Sequence, residues 1–161
     1  ERKVSMSIPG PVRLGYEFGV KAKAAEVFAV LADVPRSVSH FPKVHQLKDL
    51  GDGVYQWDME KVGTEHINIH TVYASKYVSN KAKGRVEWTP VEGIGNALVG
   101  GSWTIKDNKK STHVELDIHA EVHVPLPHLM HALVEPVIHH EFTHLVETYI
   151  DNLIRTFGGE V

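Results

Sequence analysis

The stretch THVELDIHAEVHV, residues 112 to 124, alternates between two kinds of side chain. After Thr112, every even-numbered position is apolar and every odd-numbered position is His, Glu or Asp. A period of two is the repeat of a β-strand, in which successive side chains point to opposite faces. The stretch therefore predicts a strand with one buried face and one wet face, as is typical of antiparallel sheets.

Other segments predict further strands and two helices. Residues 12–20 alternate in the same way, and residues 24–32 carry apolar side chains at helical spacing until Pro35 ends that helix. The last segment, 127–157, has helical periodicity and stops at the glycine pair 158–159. Additional strands are predicted at 44–50, 54–61, 67–78, 85–89 and 98–107.

The order of these elements predicts how they pack. The final helix is the only element long enough to cover the apolar face of the sheet. We therefore predict an α+β fold, in which a curved antiparallel sheet of six to seven strands wraps around a long C-terminal helix, with a short helical segment after strand one. The single domain is expected at residues 12–157, between an N-terminal extension at 1–11 and a C-terminal tail at 158–161.

A curved sheet does not close tightly on one helix, so a space is expected between them. Aromatic side chains are frequent among the residues that face this space, and Trp and Tyr combine an apolar surface with a polar group. Together they favour a ligand pocket over an ordinary core, although each residue alone fits either interpretation. The predicted lining is Tyr55, Trp57, Met59, Ile69, Tyr73, Trp88, Trp103, Ile138, Phe142, Val146 and Tyr149.

Composition narrows the choice of partners. The chain has 17 basic and 20 acidic residues and no block of Lys or Arg, so nucleic acid is not an expected partner. It has no cysteine, which excludes disulfides and thiolate metal sites. No apolar run approaches the roughly 18 residues of a membrane span, so stable membrane insertion is not expected. A cytoplasmic location is predicted, with an exported form whose signal has been removed as the alternative; the sequence carries no signal of oligomeric state.

Residues 140–144 read HEFTH and fit the H-E-x-x-H pattern of zinc peptidases. At about 100° per residue, however, His140 and His144 lie opposite the apolar stripe of the helix, so both should face solvent. A zinc peptidase also needs a third ligand, and neither Glu147 nor Glu160 has a suitable spacing. We therefore reject the peptidase and predict no obligatory metal or other cofactor, with His140 and His144 as an adventitious metal site.

The remaining histidines divide between the wet face of the sheet and the edge of the helix stripe. His113, His119 and His123 lie on the ionisable side of their strand, where a solvated face explains them better than a cation site. His139 and Glu141 flank the apolar stripe of the last helix. Either residue, or the cavity residue Tyr73, is a candidate acid or base if the cavity supports a reaction.

Pro136 interrupts the phase of the last helix. Apolar residues before and after it fall on different sides of a single helical projection, so the helix is expected to kink or restart there. A loosened segment at 127–135, beside the glycine-rich loop 93–97, would form a gate for an apolar ligand.

Several of these segments resemble the START-like helix-grip superfamily, also called SRPBCC. The resemblance is carried by VKAKAAEVF at 20–28, LAD at 31–33, FP at 41–42, GGSW at 100–103 and the helix at 127–157. The resemblance spans about residues 12 to 157. Within the superfamily, the sequence is similar to polyketide cyclases and coenzyme-Q-binding proteins. It implies a seven-stranded sheet gripping a helix around a hydrophobic cavity for lipids, sterols, polyketides or quinones. Because such proteins share no catalytic residue set, the resemblance implies no catalytic residues here.

The predicted function is therefore binding or transport of a hydrophobic small molecule between the sheet and the C-terminal helix. The alternative is a cyclase, dehydratase or hydrolase that acts on an aromatic or polyketide substrate in the same cavity. A third class, an interaction domain with a collapsed core, would have no pocket.

Overall fold

A computed structural model describes residues 3–7, 12–63, 68–124 and 130–161, and its main feature is an antiparallel sheet of eight strands. The strand order across this sheet is β1-β2-β10-β9-β8-β7-β4-β3. The strands are β1 (Lys3–Ser7), β2 (Val12–Val20), β3 (Val44–Gly51), β4 (Val54–Met59), β5 (Val62–Gly63), β6 (Asn68–Ile69), β7 (Val72–Asn80), β8 (Arg85–Val91), β9 (Ala97–Asp107) and β10 (Thr112–Val122). The helices are α1 (Ala24–Ala32), α2 (Val34–Val38) and α3 (His131–Thr156).

Strand β10 forms the centre of one half of the sheet, as its alternation predicts. It pairs antiparallel with β2 along one edge and with β9 along the other. Its even-numbered residues from Thr112 to Ala120 are buried, and its odd-numbered residues are at least partly exposed. The predicted division into an apolar face and a wet face is confirmed.

Two strand predictions needed correction. The region expected to be an N-terminal extension contains β1, which adds an eighth strand at the edge beside β2. The single strand expected at 67–78 is instead broken after Ile69: β6 pairs with β5 in a separate two-stranded sheet, and β7 joins the main sheet. Residue 67 itself lies outside the described residues. Because β6 pairs with β5 and not with a strand of the main sheet, the predicted strand is divided, and periodicity alone does not reveal such a change of partner.

The last helix covers the inner face of the sheet. At 1.5 Å per residue, the 26 residues of α3 span about 39 Å, enough to cross the sheet. The helix continues through Pro136, so of the two expected outcomes, a kink or a restart, the restart is wrong. Its expected start at residue 127 lies outside the described residues. The observed arrangement confirms the predicted α+β class, a curved sheet wrapped around a C-terminal helix.

The two ends of α3 are held differently. Beyond its C-terminal end, the backbone nitrogens of Lys21 and Ala22 donate hydrogen bonds to the carbonyls of Gly159 (3.1 Å) and Phe157 (2.9 Å). Near its N-terminal end, Met130 is 37% exposed and Leu133 is 64% exposed, although Val134 is buried. The fold therefore anchors one end of α3 firmly and leaves apolar side chains exposed at the other.

Candidate functional site: an apolar cavity and its mouth

An apolar cavity of about 70 Å³ lies between the sheet and the middle of α3, and we call it the main cavity. Glu60, Thr71 and Glu141 are the acidic or small polar residues on its walls, which are otherwise apolar or aromatic. Its lining consists of Val12, Phe41, Met59, Glu60, Ile69, Thr71, Tyr73, Val99, Ala120, Val122, Ile138, Glu141, Phe142 and Leu145.

A smaller space of about 30 Å³, the inner cavity, continues deeper into the domain. Phe41, Tyr73, Val99 and Phe142 line both spaces, so these side chains form the partition between them. The rest of the inner lining consists of Leu31, Val34, Ser37, Val38, Trp57, Tyr77, Trp88, Trp103, Ile118 and Tyr149.

Stacked aromatic rings build the wall of the inner cavity. Trp57 stacks on Tyr73 with ring centroids 5.4 Å apart, and Tyr77 stacks on Trp88 at 5.6 Å. Gly101 makes the second pair fit, because a methyl carbon added there would lie 2.8 Å from the Trp88 ring. The glycine pair at 100–101 thus leaves room in β9 for a large ring on β8.

The buried tyrosines near the cavities are neutral hydrogen-bonding groups. Burial raises the pKa of Tyr149 to about 12, and its hydrogen bonds with Ser37 and Trp103 offset part of that increase. Burial also raises the pKa of Tyr73 and of Tyr77 well above the ordinary tyrosine value. Tyr77 accepts a hydrogen bond from Trp57 Nε1 at 3.2 Å. These phenols can therefore donate hydrogen bonds at neutral pH but do not act as bases there.

Tyr73 differs from the other two tyrosines because its ring lines both cavities. Within the described part of the chain, its hydroxyl has no hydrogen-bond partner. A polar atom of a ligand would find a donor at this position.

Most residues predicted to line a pocket lie on one of the two cavities. Met59, Ile69, Tyr73, Ile138 and Phe142 line the main cavity. Trp57, Trp88, Trp103 and Tyr149 line the inner cavity.

Tyr55 and Val146 line neither cavity. The Tyr55 ring packs edge-on against Tyr77 and is partly exposed. Val146 is fully buried against the sheet.

Sequence reasoning missed Phe41, which lies in the short turn before β3 and packs against Trp57 and Tyr149. The phenylalanine of the Phe41-Pro42 pair was the available signal, but its turn-like context gave no direction for the side chain.

A wide groove of about 620 Å³ opens outside the main cavity, and we call it the mouth. It lies between the loop at 92–96, the end of β10 and the first turns of α3, and it shares Val122 and Ile138 with the main cavity. A neighbouring space of about 200 Å³, lined by His139, shares Glu121, Val122, Glu135 and Ile138 with the mouth. Both the mouth and this space therefore lie directly beside the main cavity.

Asn96 fixes the loop side of the mouth. Its side chain accepts a hydrogen bond from the Val72 nitrogen at 2.9 Å and donates one to the His70 carbonyl at 2.8 Å. Its backbone nitrogen donates to the Val72 carbonyl at 2.9 Å, and its carbonyl accepts from the His123 nitrogen at 2.7 Å. Because the loop is tied to β7 and to the end of β10, movement at the mouth would come from the helix side.

The three candidate acid–base residues lie near these spaces. Glu141 and Tyr73 line the main cavity. His139 lines the space beside the mouth, and its Nδ1 atom is buried without a hydrogen-bond partner in the described part of the chain. A buried, unpaired ring nitrogen is uncommon because it loses its hydration without compensation.

The histidines of the HEFTH motif lie on the outside of the helix. His140 and His144 are both exposed, as the angular argument predicts. Within the described residues, the group with metal-ligand spacing is instead Glu17, His113 and Glu115, on the wet face of the sheet.

That group is already satisfied by local ion pairs. His113 Nε2 lies 3.3 Å from Glu17 Oε1, and Lys106 Nζ lies 3.3 Å from Glu115 Oε1. A lysine at this distance competes with a cation. In another part of the domain, His70 Nε2 lies 2.7 Å from Asp58 Oδ1 on β4.

In the described part of the chain, each helix is either too short or too polar to cross a membrane.

Comparison with known proteins identifies the fold. No family model matches the sequence, and no curated protein matches it. The structure is similar to a START superfamily protein from Mycobacterium smegmatis, with 14% identity and a TM-score of 0.67 over 92% of this chain and 98% of that one. It is also similar to the Zhui aromatase/cyclase from Streptomyces sp. R1128, with 16% identity and a TM-score of 0.60 over 91% and 96% of the two chains. A third similar structure is the major latex-like protein 151 from Panax ginseng, with 13% identity and a TM-score of 0.57 over 90% and 96%.

These likenesses cover nearly the whole of each chain. The protein therefore has the START-like, SRPBCC helix-grip fold, which confirms the architecture expected from the sequence. At such low identities the likeness establishes the fold and leaves activity to be argued from the site.

Proposed function

We propose that this protein binds a hydrophobic small molecule between the sheet and α3, with the ligand passing through the mouth into the main cavity. The observation that carries the proposal is the series of adjacent spaces, from a groove at the surface to an apolar cavity and then an aromatic inner cavity. Burial of apolar ligand surface supplies about 25 cal/mol per Å², so about 300 Å² would contribute roughly 7 kcal/mol before ordering costs.

The small size of the main cavity implies that the protein opens to bind. Sites for small molecules usually measure about 300 to 1,000 Å³, whereas this cavity measures about 70 Å³. The loop side of the mouth is held by Asn96, so the first turns of α3 are the part expected to move. Pro136 favours movement there, because it removes one backbone hydrogen bond from the helix.

Hydrogen exchange with a neutral fluorescent probe, 1-aminoanthracene, tests this opening. Saturation with the probe should slow exchange in α3 before Pro136 more than after it, because the ligand would hold the loosened turns against the mouth. Equal protection on both sides of Pro136, with and without the probe, would contradict the gate.

A blocking substitution tests the cavity itself. Val122 lines both the main cavity and the mouth, and Val122→Phe should lower the affinity for 1-aminoanthracene at least about tenfold by filling the passage. Val78→Phe is the matched control, because Val78 is 60% exposed on another strand of the same sheet. Equal affinity in the two variants would refute the proposed location.

Native mass spectrometry of freshly purified protein, followed by extraction, would identify a molecule that co-purifies.

A second candidate function is catalysis on an aromatic or polyketide substrate in the same cavity. The observation that favours it is the buried, unpaired Nδ1 of His139 beside the mouth, with Glu141 on the cavity wall. A ring nitrogen of this kind can take up or deliver a proton. Turnover of a polyketide analogue that is lost in His139→Ala, while probe binding survives, would establish the enzyme. The exposed neighbour variant His140→Ala is the control and should leave turnover unchanged.

A further inference from the structure

Apart from histidine, the charged side chains along the ligand route are all carboxylates. Glu60, Glu92, Glu121, Glu135 and Glu141 line the main cavity, the mouth or the space at His139, and each counts as a negative charge at pH 7. Within the described residues, no Lys or Arg lines any of these three spaces. The whole chain is nearly balanced, with 17 basic and 20 acidic residues, but Glu121, Glu135 and Glu141 come from residues 111–154, which contain no Lys or Arg.

The carboxylates surround the passage from several elements. Glu121 on β10 and Glu135 on α3 line both the mouth and the space at His139, from opposite sides. Glu141 lies six residues beyond Glu135, about 1.7 helical turns, on the wall of the main cavity. Glu60 follows β4 on the other wall. A ligand moving inward therefore meets carboxylates at the outer and the inner end of the route.

Two lysines lie close to Glu60. The Glu60 nitrogen donates a hydrogen bond to the Lys43 carbonyl, and Lys61 is next to Glu60 in the sequence, but neither lysine lines the three spaces. The carboxylates at the outer end of the route, Glu92, Glu121 and Glu135, are exposed like these lysines, whereas Glu141 is partly buried. The histidines on the route are His123 and His131 in the mouth and His139 beside it. An experiment at pH 8, above the ordinary titration range of histidine, keeps their contribution small.

We propose that this acidic route makes the site selective for hydrophobic molecules with a cationic or neutral polar end, and that it rejects anionic ones such as fatty carboxylates. This inference rests on the proposed function, since it names the class of ligand for the same site. An anion that enters an apolar cavity loses its hydration and needs a cationic partner. Here it meets carboxylates instead, whereas an amine at the mouth gains favourable pairing and an alcohol avoids the repulsion.

A series of ligands with one carbon chain tests the selectivity. Decylamine, decanol and decanoate are titrated against the complex of the protein with 1-aminoanthracene at pH 8 and low salt. Affinity is expected to fall from decylamine to decanol to decanoate. Decanoate should bind about tenfold or more weakly than decanol, because several carboxylate charges lie near the route. Raising the salt from about 0.01 M to about 1 M should narrow the difference, because the screening length falls from about 30 Å to about 3 Å.

Charge-neutralising variants test the location. Glu121→Gln combined with Glu135→Gln should reduce the difference between decanol and decanoate at least about threefold. Glu26→Gln is the matched control, because Glu26 is an exposed residue in the first turn of α1, at the opposite end of the domain from the mouth. An unchanged difference in the double variant, or an equal reduction in the control, would overturn the assignment to the mouth.

The outcomes separate this inference from the function on which it rests. Decanoate binding as tightly as decanol or more tightly, with the probe displaced normally, would refute the selectivity and leave the binding function standing. Failure of the probe and all three ligands to bind would refute the binding function itself. The predicted order, together with its loss at high salt, would support both.

Discussion

Truncating Phe142 to alanine is expected to merge the two cavities into one. Phe142 lines both the main cavity and the inner cavity, and its ring forms part of the partition between them. Removing the ring frees about 100 Å³, which together with the existing spaces gives a cavity of about 200 Å³. An apolar cavity of about 150 Å³ in another protein stays dry and binds benzene.

The cost in stability follows from the same volume. A residual cavity costs about 24 cal/mol per Å³, so about 100 Å³ costs roughly 2.4 kcal/mol, to which the lost transfer free energy of the ring is added. Because the side chain is only partly buried, the total should lie near the lower end of the usual range for this truncation, at about 3 kcal/mol. Urea unfolding measures this loss.

Benzene binding distinguishes a merged cavity from simple destabilisation. Saturating benzene should raise the melting temperature of Phe142→Ala clearly more than that of the unsubstituted protein, because ligand binding to the folded state stabilises it. Phe28→Ala is the matched control: Phe28 is also partly buried against the core but lines neither cavity. Equal stabilisation of the two variants by benzene would refute the prediction that removing the Phe142 ring merges the two cavities. A Phe142→Ala protein whose melting temperature does not respond to benzene, because the cavity has collapsed, would refute it as well.

Three further predictions concern the motif histidines, the mouth loop and the buried phenols. Replacing both His140 and His144 with alanine should change the free energy of unfolding by less than about 0.5 kcal/mol and leave probe binding unchanged, since both are exposed; a stoichiometric metal retained by untagged protein would contradict this. Gly95→Ala should lower the free energy of unfolding, measured in urea, by about 1 to 3 kcal/mol, because the φ of Gly95 is +71° and a methyl carbon there would collide with a carbonyl oxygen of β7. Gly93→Ala is the control and should lower it less, because Gly93 has a φ of +87° but open space around it. Equal losses in the two variants would show that the collision is not the cause. Burial raises the pKa of Tyr149 from the ordinary tyrosine value of 10.0 to about 12, so the stability it contributes is complete below pH 10 and is lost as the pH rises towards 12. Phenolate absorbance that follows a simple titration near pH 10 in the folded protein would contradict this.

The local elements of this protein were predictable because they depend on neighbours in the chain. Strand β2 and helix α1 begin and end at the predicted residues, and the alternation in β10 matches its burial. The exposure of His140 and His144 followed from the angular repeat of a single helix. In each case one side chain's environment is set by a period of two or of 3.6 residues, which the sequence displays directly.

The tertiary structure decided the features that need distant residues to meet. The hairpin of β5 and β6 turned a predicted continuous strand into two, and β1 joined the sheet where an extension was expected. The size of the main cavity is the small difference between the volume enclosed by sheet and helix and the volume of the side chains inside it. That difference depends on packing between residues as far apart in the chain as Val12 and Leu145, and no local pattern records it.

The acidic route has the same origin. Glu121 and Glu135 lie in a stretch, residues 111–154, that contains acidic residues and no Lys or Arg, whereas Glu60 lies on a separate element next to Lys61. The missing cations are therefore partly visible in the sequence, but only the packing of the sheet against α3 brings these carboxylates to one passage. Periodicity determines which face of an element is buried, whereas the charge of a shared surface is the sum over several elements and exists only once they pack together.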